Sequence, residues 1–253
     1  MHSTDELRQL IDDALAELVL HRDLGPLEAA VRYGVEGGGK RIRPVLCLAV
    51  GEALGRTPEE LLPAACAVEL IHSFSLVHDD LPSLDDDDTR RGRPSTWAQF
   101  GEATAVLAGD ALLVEAFRLA SAYETPTVVR ELADATIGMI GGQHLDISEA
   151  ERDLTSLNRL KTGRLFEAAV ACAVAVSGSE PETWPSFGRE VGALFQLVDD
   201  LLDGDGAVLV YGEEETRRRA DEAAERALSA LAELDAETTV LRGLVGSLAT
   251  RSA

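Results

Sequence analysis

Apolar residues recur at helical spacing along almost the whole chain, and several segments are apolar nearly all round. Residues 103–113 and 166–176 are of that kind, and a helix without a polar face belongs in the middle of a bundle. Strand alternation is absent. The periodicity predicts helices over 4–20, 26–33, 41–54, 58–80, 102–123, 126–147, 154–176, 181–203, 213–234 and 237–250. Two starts carry capping boxes, Ser3 with Glu6, and Thr57 with Glu60, the latter with Pro58 at the first helical position. No linker, repeat or low-complexity tract interrupts the pattern, so residues 1–253 are expected to form one all-α, single-domain helical bundle.

The charge balance narrows the partners. Acids outnumber bases 45 to 23, for a net charge of −22. Nucleic-acid binding, which works by neutralising phosphates, is therefore not expected, nor is docking on an anionic membrane surface. Aromatics are 4 % of the chain, too few for base stacking. No run approaches the ~18 apolar residues that span a bilayer, so no membrane insertion is expected. The first twenty residues have no basic start and no apolar core of a targeting signal. Cys47, Cys66 and Cys172 lie far apart in apolar runs and read as reduced core thiols, consistent with a cytoplasmic protein.

Two acidic clusters close long apolar helices. The first runs from His78-Asp79-Asp80 through Leu81-Pro82-Ser83-Leu84 to Asp85-Asp86-Asp87-Asp88; the second is Asp199-Asp200-Leu201-Leu202-Asp203. On a helix, Asp199, Asp200 and Asp203 can share one face, where like charges destabilise. They are embedded among Phe195, Leu197, Val198, Leu201 and Leu202, which favour burial. Divalent cations resolve that conflict, and Mg²⁺ in particular takes one or two carboxylates plus substrate phosphates. In the first cluster Asp79 and Asp85 are out of register on a straight helix, and Pro82 can break or bulge it. Residues 85–88 alone could be a solvated loop. An EF-hand is a poor fit, because no alternating acidic loop ends in glutamate.

Lysine occurs only at Lys40 and Lys161. Lys40 follows Gly37-Gly38-Gly39 and precedes Arg41-Ile42-Arg43, an arrangement that presents backbone N–H groups and cations to a phosphate. Residues 34–40 have the spacing of a nucleotide P-loop, yet Arg41 stands where a Ser or Thr is needed and no strand precedes it. Aspartate-held magnesium, cationic phosphate clamps and an apolar interior together describe a substrate with a diphosphate head and a hydrocarbon tail.

The motifs, in order, are Gly38-Gly39-Lys40-Arg41-x-Arg43-Pro44, Glu69-x-Ile71-His72-x-x-Ser75-Leu76-x-His78-Asp79-Asp80, Arg90-Arg91-Gly92-x-Pro94, Ala108-Gly109-Asp110, Gly142-Gln143-x-Leu145-Asp146, Lys161-Thr162-Gly163 and Phe195-Gln196-x-x-Asp199-Asp200-x-x-Asp203. In this order they resemble the trans-isoprenyl diphosphate synthases of the farnesyl/geranylgeranyl type. The resemblance implies an isoprenoid-synthase bundle with a central apolar cavity, working as a homodimer, that condenses isopentenyl diphosphate with an allylic diphosphate. It implies Mg²⁺ on Asp79, Asp80, Asp85, Asp199, Asp200 and Asp203. It further implies isopentenyl diphosphate on Lys40, Arg43, His72 and Arg91, and the allylic substrate on Arg90, Lys161, Thr162 and Gln196. Without it, His72 would pass as an ordinary helix histidine and Gln143 as a satisfied core amide.

Product length is expected to depend on Phe74 and Ser75, five and four residues before Asp79, where side chains line the wall below the cations. By resemblance, an aromatic at Phe74 goes with a fifteen-carbon product; the alternative is that Phe74 is core packing. One departure from the family stands out. Its usual lysine-bearing stretch after the second cluster is shortened here to Gly204-Asp205-Gly206 and residues 207–212, with no lysine after Lys161. Arg217, Arg218 and Arg219 could substitute, or form a solvated face. A class I terpene cyclase and a non-catalytic partner subunit of a prenyl synthase are the competing expectations.

Overall fold

The computed structural model describes residues 1–148, 153–179 and 183–251. Helix α1 spans Thr4–Ala16, α2 Glu28–Val35, α3 Ile42–Ala53 and α4 Pro58–Asp79. After a tight hairpin come α5 (Thr96–Phe100), α6 (Glu102–Ala120) and α7 (Thr127–Ile147). Then follow α8 (Leu154–Asn158), α9 (Arg164–Ser177), α10 (Trp184–Asp203), α11 (Ala207–Tyr211), α12 (Glu213–Ala232) and α13 (Thr239–Ala249). Both predicted capping boxes form. The expected start of the helix at Pro181 lies outside the described residues.

Helix α4 is the axis of the bundle and packs against α6, α3 and α9, while α10 and α12 form a second pair. Its interior position corrects one expectation: α4 is long and apolar enough to cross a bilayer by length and composition, and here 67 % of that apolar stretch is buried by its neighbours. Its apolar surface on all sides is matched by helices on all sides.

Three further elements were not expected. Thr89–Arg90 and Arg93–Pro94 form a two-stranded antiparallel hairpin, with Arg90 opposite Arg93. Arg91 and Gly92 both have positive φ, as a two-residue hairpin turn of matching twist requires. Residues 159–163 widen into a π turn where a continuous helix was expected. Gly142 on α7 is the packing partner of that turn: a Cβ there would lie 2.6 Å from the Lys161 backbone nitrogen. Residues 207–211, expected to be loop, form the short helix α11.

Candidate active site

Both aspartate clusters sit at helix C-termini, where the helix dipole already disfavours negative charge. Helix α4 ends at Asp79 because Leu81 precedes Pro82 and is biased away from helical backbone. The loop then folds back on the helix end. The Asp85 N–H donates to the Asp79 carbonyl (2.9 Å), Asp86 N–H to Leu81 (3.1 Å) and Asp87 N–H to Asp80 (3.1 Å). This return brings Asp85 close enough to act on Asp79 electrostatically. Burial, reinforced by Asp85, lifts the Asp79 carboxyl to about 6, against the opposing pull of Lys161. Asp80 is 2 % exposed and accepts from Arg90 through Nε (2.9 Å) and Nη2.

In the second cluster Asp199 and Asp203 both act on Lys40. Asp199 is also paired with Arg251 Nη1 at 2.6 Å. Burial raises the Asp199 carboxyl against the opposing effect of Arg251. Asp200, on which Asp203 also acts, has partners of its own: it accepts from Gln196 Nε2 at 2.7 Å and from the Ala207 N–H at 2.8 Å.

A cavity of about 570 Å³ runs from Asp199 to Arg90, the partner of Asp80, and is also lined by Lys40, Arg43, His72, Arg91, Thr162, Gln196 and Arg251, among others. Lys40, Arg43 and Arg91 make no ion pair among the described residues. Arg43 lies over the Phe166 ring (4.5 Å to centroid) and near Phe195 (5.3 Å), and its Nε is buried without a partner. Burial brings its pKa down to about 10. Burial first, and then Arg43 and Arg91, hold the His72 imidazole well below its ordinary range, so it is neutral at pH 7. A site-sized cavity that keeps Lys40, Arg43 and Arg91 without ion pairs among the described residues, in a chain of net charge −22, suits a strongly anionic ligand.

Arg41, between the two clamps, does something else. It has φ 49° and is buried, donating to Asp12 (2.9 Å), Glu69 (2.5 Å) and the Val35 carbonyl (3.1 Å). It anchors the bend that sends Lys40 and Arg43 into the cavity. The triple glycine, whose Gly39 lines the cavity, also makes room for the hairpin. A Cβ at Gly39 would lie 2.8 Å from the Arg91 guanidinium, and one at Gly37 2.9 Å from that of Arg93. These glycines admit two arginines of the hairpin.

Lys161 pairs with Asp146 at 2.6 Å, and Thr162 Oγ1 donates to Gln196 Oε1 at 2.7 Å. Both amide atoms of Gln143 are buried without a partner among the described residues, unlike a satisfied core amide. Phe74 is buried, edge-on to His78 with centroids 5.0 Å apart; Ser75 is half-buried and donates to the His72 carbonyl. His78 in turn packs on Gly109, where a Cβ would be 2.2 Å from Nε2. Arg217, Arg218 and Arg219 pair with Glu213, Glu215 and Glu222 on their own helix, away from the lysine role considered for them. Arg251 was missed, because nothing near it in the sequence marks one arginine among many.

The carboxylates fit a hard cation. Asp79 and Asp199 are desolvated oxygen donors at negative helix ends, the donor type Mg²⁺ prefers. Among the described residues, no three acidic, His or Cys side chains are gathered into a ready-made cage. Such a set suits an ion that takes its remaining ligands from substrate phosphate.

The profile of the polyprenyl synthetases matches residues 25–226. The chain belongs to that family. The heterodimeric geranylgeranyl pyrophosphate synthase large subunit 1 of Arabidopsis thaliana is 44 % identical over 217 residues, covering 77 % of this chain and 58 % of that protein. The chain thus spans less than two thirds of that relative. The farnesyl diphosphate synthase of Geobacillus stearothermophilus is 40 % identical over 223 residues, 80 % of this chain and 75 % of that one. A solved geranyltransferase from Legionella pneumophila superposes with a TM-score of 0.86 at 30 % identity, covering 99 % of both chains. The fold is that of these synthases, as expected.

Proposed function

We propose that this polyprenyl synthetase is a magnesium-dependent trans-prenyltransferase that joins isopentenyl diphosphate to an allylic diphosphate and stops at fifteen carbons. The observation that carries it is a cavity that holds Lys40, Arg43 and Arg91, without ion pairs among the described residues, together with Asp199, whose carboxyl burial raises, and Arg90, which acts on the partly buried Asp79. Lys40, Arg43 and Arg91 bind the diphosphate of isopentenyl diphosphate, with neutral His72 as a hydrogen-bonding partner. Arg90, Lys161, Thr162 and Gln196 face the allylic substrate. Asp79, Asp85, Asp199 and Asp203 hold Mg²⁺, which supplies charge to stabilise the departing allylic diphosphate. As the allylic C–O bond breaks, the isopentenyl double bond attacks the cationic carbon, and loss of one proton restores neutrality in the new chain. The buried aromatic surface around Phe74 receives the lengthening tail. A class I cyclase has no use for a second diphosphate site, which the Lys40–Arg43–Arg91 group provides.

Relatives named as synthases of both fifteen- and twenty-carbon products leave chain length to be tested. Purified protein is incubated with Mg²⁺, isopentenyl diphosphate and five-, ten- or fifteen-carbon allylic starters, and products are separated by chromatography. We expect the wild type to stop at farnesyl diphosphate and Phe74→Ala to run longer. An unchanged distribution from a folded, active Phe74→Ala would place the floor elsewhere. Cyclised hydrocarbon made without isopentenyl diphosphate would indicate a cyclase. Tight diphosphate binding without turnover would indicate a partner subunit.

The same proposal includes a second copy of the chain. Val106, Leu107 and Val114 on α6, with Ile137, Ile140, Leu145 and Ile147 on α7, are exposed large apolar side chains. A patch of this kind favours an interface over solvent.

A further inference from the structure

The segment after the second aspartate cluster has its anchor inside the cluster itself. Helical geometry puts Asp199 and Asp203 about 40° apart around α10 and Asp200 about 100° from Asp199. Asp199 and Asp203 act on Lys40 across the cationic cavity. Asp200 is instead 3 % exposed and turned to α11. Each of its oxygens already has a donor: Oδ1 takes Gln196 Nε2 at 2.7 Å, and Oδ2 takes the Ala207 N–H at 2.8 Å. Gly206, at φ +47°, lies so close that a Cβ there would be 2.6 Å from the Asp200 Cγ and Oδ2 and 2.7 Å from Oδ1.

The chain of bonds continues inward. A carboxylate only accepts, so Gln196 must give it the amide nitrogen and keep Oε1 as an acceptor. Oε1 receives the Thr162 hydroxyl at 2.7 Å. Three hydrogen bonds thus run from the first turn of α11, through Asp200 and Gln196, to the π turn that carries Lys161 and Thr162. The second hydrogen of Gln196 Nε2 is the donor left for a ligand.

The geometry points to Asp200 as a positioning residue rather than a cation ligand: it fixes α11 over the end of the second cluster and, through Gln196, sets the orientation of Thr162 in the allylic site. The second cluster then supplies only Asp199 and Asp203 to Mg²⁺. The short α11, held by Asp200, is the support for that side of the site. The effect on the allylic substrate rests on the prenyltransferase assignment; the exclusion of Asp200 from the cation does not.

Asp200→Asn, Gly206→Ala and Thr162→Val are compared with Asp199→Asn. Calorimetry first measures Mg²⁺-dependent binding of inorganic diphosphate, with no turnover involved. Asp199→Asn should weaken it about tenfold or more, whereas the other three should keep the Mg²⁺ midpoint within about twofold of wild type. Steady-state kinetics then separates the substrates. Asp200→Asn, Gly206→Ala and Thr162→Val should each raise KM for the allylic diphosphate about tenfold, one buried hydrogen bond's worth, and leave KM for isopentenyl diphosphate unchanged. Gly206→Ala and Thr162→Val keep the test decisive if Asp200→Asn does not fold, because both leave the Asp199, Asp200 and Asp203 carboxylates in the chain. An Asp200→Asn shift of the Mg²⁺ midpoint as large as that of Asp199→Asn would overturn the inference. So would Gly206→Ala and Thr162→Val with wild-type allylic KM. A wild type that consumes no isopentenyl diphosphate would instead sink the prenyltransferase assignment, leaving the calorimetric comparison to decide the role of Asp200.

Discussion

Arg41 shows how one side chain shapes the site without entering it. Its left-handed backbone would be relieved by glycine, yet the guanidinium is what the position needs: it joins Asp12 on α1, Glu69 on α4 and the carbonyl that ends α2. Lysine could not reproduce three contacts made by a planar fork. Arg41→Ala leaves Glu69 buried and unpaired, and removing one partner of a buried pair costs about 3–5 kcal/mol. Chemical denaturation should register a loss of that size, with Glu69→Gln milder because Arg41 keeps its bond to Asp12 and the glutamine amide oxygen can still accept from it. A loss under about 1 kcal/mol for Arg41→Ala would show that the anchor is dispensable.

Among elements, the π turn and the hairpin matter most, and both depend on glycines that let backbones or guanidinium groups come close. Gly142 admits the Lys161 backbone, and Gly37 and Gly39 admit Arg93 and Arg91. Helices α6 and α7 raise a different question, since each turns an apolar stripe to solvent. If a second copy covers them as proposed, light scattering should give the wild type twice the mass of one chain. Leu107→Asp with Ile140→Asp should return it to the mass of one chain, because charge at the centre of an apolar contact is not solvated there. Wild-type protein at single-chain mass would refute the pairing; an undissociated double variant would place the interface on another face.

At the scale of the whole molecule, charge dominates. Six aspartates fall within residues 79–88 of a chain with net charge −22. Cation and anion should therefore stabilise only together, one relieving the aspartates and the other Lys40, Arg43 and Arg91. A ligand pair present at 100 times its dissociation constant stabilises by about 2.7 kcal/mol. For a chain this long that raises Tm by roughly 5–10 °C. Thermal melts with Mg²⁺ plus inorganic diphosphate should show the rise, and an Asp79→Ala/Asp199→Ala double variant should not. An equal rise in the double variant would move the binding site away from the clusters.

The long helices, their order and their burial were legible in the sequence because they follow from local spacing: apolar residues at 3.6-residue intervals and two capping boxes state where a helix starts and which side it hides. The residue types of the site were legible for a related reason, since aspartates inside apolar runs and two solitary lysines have no comfortable solvated explanation. What the tertiary structure alone decided was which of these groups remain unpaired. Arg41 and Arg43 are two residues apart, yet one is fully bonded and the other has a bare Nε, because only Arg41 meets Glu69 and Asp12. Asp199 and Asp200 are neighbours, yet one faces Lys40 and the other caps α11. Arg251 reaches Asp199 from 52 residues away. Local periodicity carries no record of such partners, because a hydrogen bond is fixed by distance in space and the fold alone sets that distance.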